Sequence, residues 1–154
     1  VAEAIRLAVD AALTNSVERS GVVPGLIPWD DCSCGMLAVS VGRVFLSDDF
    51  PNEQAERISP CDAAWEVAEI VVQVIRCAPS IPEGKMDPTV AAQDLAAQVL
   101  AADGQQTLAA ITSWICNKRG LDIIDGITTE MTSEGPEGGC VGLQLHALIG
   151  LPRG

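Results

Sequence analysis

The sequence contains no tyrosine, two phenylalanines and three tryptophans in 154 residues, so aromatics make up 3%. Readers of single-stranded nucleic acid stack bases on aromatic faces, and this chain has few to offer. Bases are scarce as well: nine Lys and Arg stand against 21 Asp and Glu, a formal charge of −12. A chain so acidic does not grip phosphate backbones through counterion release. The single histidine, His146, rules out a multi-histidine metal site. No G-x-S-x-G elbow and no G-x-x-x-x-G-K-[ST] loop occurs, which removes the usual signatures of a hydrolase nucleophile and of a phosphate cradle. The longest apolar stretch, around Ile70–Ile75, is interrupted by Gln73. It falls far short of the ~20 residues that span a bilayer. Val1-Ala2-Glu3 lacks the basic region and apolar block of a secretory signal. The expectation is a chain that folds in a cytosol and has no membrane partner.

Apolar residues are plentiful. Hydrophobic residues make up 48% of the chain and charged residues 19%, so the composition is that of a folded protein. The length fits one domain over 1–154. A mean hydropathy of +0.28 is high, and it suggests apolar surface covered by other subunits. Six cysteines stand at 32, 34, 61, 77, 116 and 140. In a cytosolic chain with its own core, thiols are their default state.

The apolar spacing predicts a helix over 2–18, with Ile5, Ala8, Val9, Ala12 and Leu13 on one face. Residues 20–34 read as a connection, because Gly21, Pro24, Gly25 and Pro28 punctuate it. Alternation predicts a strand over 35–46, with a bulge or close approach at Gly42, and a second strand over 64–77 buried on both faces for part of its length. Between them lies a long acidic loop, 47–62. Asp87-Pro88 reads as the cap and first residue of a long helix running to about Arg119, with Leu95, Val99, Leu108, Ile111 and Ile115 on its apolar side and Gly104 loosening its middle. Strands over 122–132 and 140–149 flank a wide turn at 133–139. The fold class expected is α+β: an antiparallel sheet of about four strands flanked by an N-terminal helix and one long central helix.

Few residues suggest chemistry. Cys32 and Cys34 behind Asp30-Asp31, joined by Cys61 and Cys77, offer four thiolates, but the spacing is not that of a zinc knuckle. Cys116 and Cys140 read as core. Asp48, Asp49, Glu53 and Glu56 share the long loop with one base, Arg57; they read as solvated loop acids, or as carboxylates awaiting a metal or substrate. His146 reads as a polar-face residue of a half-buried strand. Trp65 and Trp114 read as packing, and Trp29 as a core plug or an interface anchor. If the strands over 35–46 and 64–77 pair as a hairpin with Leu46 opposite Trp65, Cys34 falls across from Cys77. Directly opposite residues hold their Cβ atoms ~4.5–5.5 Å apart, so this would be a neighbouring, oxidisable pair.

Three stretches carry a resemblance. They are Trp29-Asp30-Asp31-Cys32-Ser33-Cys34-Gly35-Met36-Leu37-Ala38-Val39-Ser40-Val41-Gly42-Arg43, then Val71-Val72-Gln73-Val74-Ile75-Arg76-Cys77-Ala78-Pro79, then Gly135-Pro136-Glu137-Gly138-Gly139-Cys140-Val141-Gly142. The chain resembles small head-to-tail connector proteins of long-tailed actinobacterial phages, and its element order is most similar to that of tail terminators. The resemblance implies a structural virion protein at the head–tail neck with no catalysis and no cofactor or metal. Its copies would form a ring, six in number, that caps the tail tube and joins it to the head connector. The implied partners are the adjacent stopper ring and the major tail tube protein, with DNA passing through without specific binding. Implied contacts with partners or channel are Asp48, Asp49, Glu53, Glu56, Glu134, Glu137 and Trp29. Assembly would take place in the host cytoplasm. A stopper or adaptor ring is the nearest alternative, and a small cysteine-based metal module the more distant one.

Overall fold

The computed structural model describes residues 1–25, 35–53, 59, 61–119, 121, 124–137 and 139–153. Its elements run α1 (Ala2–Ala12), β1 (Arg19–Val22), β2 (Met36–Ser47), β3 (Trp65–Cys77), α2 (Val90–Arg119), β4 (Asp125–Glu137) and β5 (Cys140–Pro152). The class is α+β, as expected, but the sheet has five strands in the order β1-β2-β3-β5-β4, and it is mixed. The added strand is β1, read from sequence as part of a connection. It is four residues, Arg-Ser-Gly-Val, too short and too polar to show a period, and it pairs parallel to β2 from Arg19–Met36 to Val22–Val39. The other three pairings are antiparallel.

The hairpin register expected from sequence holds from Met36–Ile75 to Val41–Ile70. The pairing then slips at Gly42, so that Ser47 rather than Leu46 faces Trp65. A bulge of this kind inserts one unpaired residue and bends the strand. The wide turn expected at 133–139 is much tighter, because β4 continues to Glu137 and pairs it with Cys140.

Both helices lie on one face of the sheet. Leu37, Val39, Ile70, Val72, Val74, Leu143, Leu145, Ala147 and Ile149 pack there against Ile5, Val9, Leu13, Ile111 and Ile115. α1 stops at Ala12, six residues before the expected end, because Leu13 adopts an extended conformation (φ −68°, ψ 118°) ahead of Thr14-Asn15-Ser16. Short polar side chains of that kind compete with helical bonds. α2 starts at Val90, and its cap is Thr89 rather than Asp87: the Ala92 N–H donates to Thr89 Oγ1 at 3.2 Å.

The stripe of α2 that meets the core is Asp103, Gly104, Thr107, Ile111 and Ile115. Leu95 and Leu108, expected on that side, are exposed, and so is Cys116, expected in the core. The helix can sit this low because of Gly104, where a Cβ would come within 3.2 Å of the Met131 side chain. Gly150 allows a similar approach on the other face. A Cβ there would lie 2.8 Å from Phe50, whose ring stacks at 5.6 Å, tilted by 40°, against Trp65. β3 is buried on both faces from Ile70 to Ile75, as its Val- and Ile-rich run suggested.

One ion pair joins the layers. Arg76 of β3 makes a bidentate contact with Asp103, Nε to Oδ2 at 2.8 Å and an Nη to Oδ1 at 3.1 Å. The same guanidinium donates to the carbonyls of Ser16 at 3.0 Å and Asn15 at 2.5 Å, just past α1. Asp103 is fully buried. Removing one partner of a buried pair leaves an uncompensated charge and costs about 3–5 kcal/mol. Asp103→Ala is therefore expected to lower the melting temperature by roughly 6–20 °C, at about 2–4 °C per kcal/mol for a chain of this size. One turn along α2, Thr107 Oγ1 is buried with no hydrogen-bond partner. Thr107→Val keeps the shape and deletes the stranded hydroxyl, so a urea melt should show a gain of about 1–2 kcal/mol.

Candidate functional site

The face of the sheet away from the helices carries a polar row that crosses three strands. Arg43 of β2 donates from Nε to Glu69 Oε2 of β3 at 2.7 Å, and from an Nη to Glu53 in the loop after β2. Glu69 Oε1 meets His146 Nδ1 of β5 at 2.9 Å. His146 Nε2 lies 2.7 Å from Gln144 Nε2, and Gln144 Oε1 accepts from buried Gln73 at 3.2 Å. The row exists because strand periodicity puts 69, 71 and 73 on the same face as 144 and 146, while the β3–β5 register sets Gln73 opposite Gln144. The Gln73 bond orients the Gln144 amide. Its NH2 then faces Nε2, which makes Nε2 an acceptor and leaves the ring proton on Nδ1, donated to Glu69.

A cavity of about 340 Å³ opens beside the row, lined by Pro24, Gly25, Ser40, Val71, Glu69 and His146 among others. The His146 contact, and then that of Arg43, hold the Glu69 carboxyl below the usual glutamate range. Arg43 is in turn held charged by Glu69 and Glu53. A carboxylate orienting an imidazole is half of a general-base arrangement. Here the nitrogen that would face a substrate is occupied by an amide, so the geometry is that of a satisfied structural network. The sequence pattern does not mark Glu69, and it places His146 only on the polar face of a strand. The visible signal was the alternation of polar residues at 69 and 73 and at 144 and 146.

The expected contact residues do not converge. Asp48 and Asp49 are exposed at the start of the loop. Asp49 is part of a compact turn: its N–H donates to Ser47 Oγ at 3.1 Å, its carboxylate accepts from Asn52 at 3.0 Å, and Ser47 Oγ donates to the Asn52 carbonyl at 2.8 Å. Glu53 reaches back to Arg43, so this one loop acid draws its counter-charge from the sheet. Glu134 and Glu137 lie exposed on β4, at the far end of the sheet. Glu56 and Trp29 lie outside the described residues, and so does Cys34, so the Cys34–Cys77 pairing does as well. Cys77 is an exposed thiol, and across β3–β5 it faces Cys140, which is buried and disulfide-bonded. Among the described residues no group of three or more His, Cys, Asp and Glu could hold a metal ion, and no helix is long and apolar enough to cross a membrane.

These observations define an α+β protein whose helices cover one face of a five-stranded mixed sheet, with a tied-off polar row on the other. No protein-family model matches the chain, and no curated protein does either.

The Glu69 shift has a direction that can be tested. Its folded pKa is depressed, so its contribution is present above the unfolded value and is lost as pH falls through the folded one. Denaturant melts of the wild type and of Glu69→Gln should therefore differ most near neutral pH and converge below the ordinary glutamate range. A gap that stays constant down to pH 2 would contradict the assignment.

Proposed function

We propose that this chain is a structural protein of the head–tail neck of a long-tailed phage, a tail terminator whose ring caps the tail tube and leaves a channel for DNA. One observation carries the reading. The three stretches that resemble neck proteins are far apart in sequence, yet their described parts meet at one end of the sheet. Met36 faces Ile75, Ile75 faces Gly142, and Cys77 faces Cys140. The three stretches are therefore neighbours in the folded sheet, most of their described residues buried, as well as three strings of residues.

Exposed apolar side chains support the same reading. Ile81, 57% exposed, is one of them. Surface of this kind is normal when scattered singly, and becomes informative when it lines an opening. Here an apolar groove of about 800 Å³ runs between residues 78–81, the first half of α2 and the β4–β5 turn. It adjoins the end of the sheet where the three stretches meet. The acidic balance suits a passage for DNA, since negative walls repel phosphate.

The test is assembly. Purified protein mixed with tail tubes should appear as a ring on the tube end by electron microscopy, and copies counted in that ring should be six. Protein that stays monomeric and leaves the tube ends bare would overturn the reading. Replacing Asp48, Asp49, Glu53 and Glu56 together by Lys should lower the yield of infectious particles with little change in the melting temperature, because Asp48, Asp49 and Glu53 are exposed and an exposed ion pair such as Glu53–Arg43 is worth less than about 1 kcal/mol.

A further inference from the structure

We propose that two copies of this chain pair about a two-fold axis, each seating the turn at 82–86 in the apolar groove under the first half of the other's α2. The contact goes beyond the ring reading and does not depend on it. A two-fold contact closes at two copies, so a ring uses other surfaces.

The groove continues the core stripe of α2 past the end of the sheet. The helix meets the core through Asp103, Gly104, Thr107, Ile111 and Ile115. Helical spacing carries that face back through Leu100, Ala97, Ala96 and Gln93. The sheet does not follow, because β3 ends at Cys77 and β5 begins at Cys140. The four side chains therefore face an opening of about 800 Å³, whose other walls include Pro79, Pro136 and Val141. Its lining residues are all among those described.

The chain between β3 and α2 carries a knob of matching character. The Lys85 N–H donates to the Pro82 carbonyl at 3.0 Å, and Gly84 takes the positive φ, +75°, that the third position of a type II turn requires. A turn already closed loses little freedom when it binds. It presents Met86, 91% exposed, a flexible and polarizable side chain suited to filling an irregular hollow. Ile81 and Asp87, on either side of the turn, line the groove, whereas 82–86 do not. Knob and hollow are thus neighbours on one patch. A two-fold axis through such a patch fills both hollows at once, with each residue meeting the other copy's counterpart in both directions.

Charge points to a second copy as the occupant. The ion pairs of the described residues leave exposed Lys85, Asp87 and Glu137 without a counter-charge. Lys85 adjoins the Met86 knob in sequence, and Glu137 adjoins Pro136 of the groove wall. The chain therefore supplies an apolar residue beside an unpaired base, and an apolar hollow beside an unpaired acid. Seating Met86 in the other copy's groove brings Lys85 to the other copy's Glu137, once on each side of the axis. Charges at the rim of an apolar contact fix its register.

Light scattering on purified protein without tail tubes tests this. Circular dichroism and melting temperature first establish that each variant is folded, as expected for changes at exposed residues. The wild type should have the mass of two chains. Met86→Ser should weaken the pair about a hundredfold or more, because the apolar side chain is lost from both seats at once. Lys85→Glu and Glu137→Lys should each weaken it about tenfold or more, since each sets like charges together twice. An equimolar mixture of those two should recover the mass of two chains, because both rim pairs are then of opposite sign. A monomeric wild type overturns the proposal, and so does association that Met86→Ser leaves unchanged. A mixture no more associated than its components overturns it too. Mixed species larger than two chains would mean a head-to-tail contact and overturn the two-fold arrangement. In each of these cases rings on tail tubes can still be scored, so the ring reading stands or falls separately.

Discussion

The arrangement of the two helices depends on a single guanidinium. Arg76 stands near the end of β3, on the face where apolar side chains alternate, and it points into the helix layer. Its fork takes both oxygens of Asp103 and two carbonyls just past α1. Those carbonyls belong to the non-helical chain beyond α1, so the guanidinium ties that segment to the sheet. Burying a carboxylate in a helix stripe is costly unless it is paired and hydrogen-bonded. Asp103 is acceptable there only because Arg76 meets it in a planar, bidentate geometry that lysine could not supply. Gly104, the next residue, lets α2 come close enough for that contact.

The rest of the molecule follows from this placement. With both helices on one face, the other face must be closed by loops and by its own polar row. The Arg43–Glu69–His146–Gln144–Gln73 chain does part of this, satisfying side chains on three adjacent strands. The loop after β2 does another part, with Phe50 against Trp65 and Glu53 tied to Arg43. Among the described residues β1 and β4 are the outermost strands, and exposed apolar side chains stand along β2 and β4. A high mean hydropathy in a chain of low aromatic content is therefore reflected in its edges as well as in its core.

The long elements were legible in the sequence because their patterns were long. Thirteen residues rich in Val and Ile, Trp65–Cys77, could only be a buried strand, and Gly42 marked the bulge in its partner. What escaped was whatever depends on distant pairing. β1 is four residues whose partner is reached only after a crossover, and nothing local distinguishes it from a turn. The contact stripe of α2 has Asp103, Gly104 and Thr107 at its centre, so a search for apolar periodicity placed the buried face on Leu95 and Leu108 instead. Glu69 and His146 lie on strands separated by the whole of α2, and their meeting needs the β3–β5 register, which no short-range signal encodes. The end of α1 lies before Thr14, which turns to α2 and exchanges two hydrogen bonds with Gln106, a distant contact to which hydrophobic spacing is blind.

The central claim is that Arg76 fixes the helix layer, and so decides which parts of the sheet stay open. Amide hydrogen exchange tests it most directly. In the double variant Arg76→Met with Asp103→Leu no buried charge is left unpaired, so the sheet should keep its protection. The amides of α1 around Ile5 and Val9 should lose about tenfold or more relative to those of β3, the scale of lost hydrogen bonds to a charged group. If α1 and β3 keep the same ratio of protection as in the wild type, the guanidinium is one contact among many, and the account is wrong.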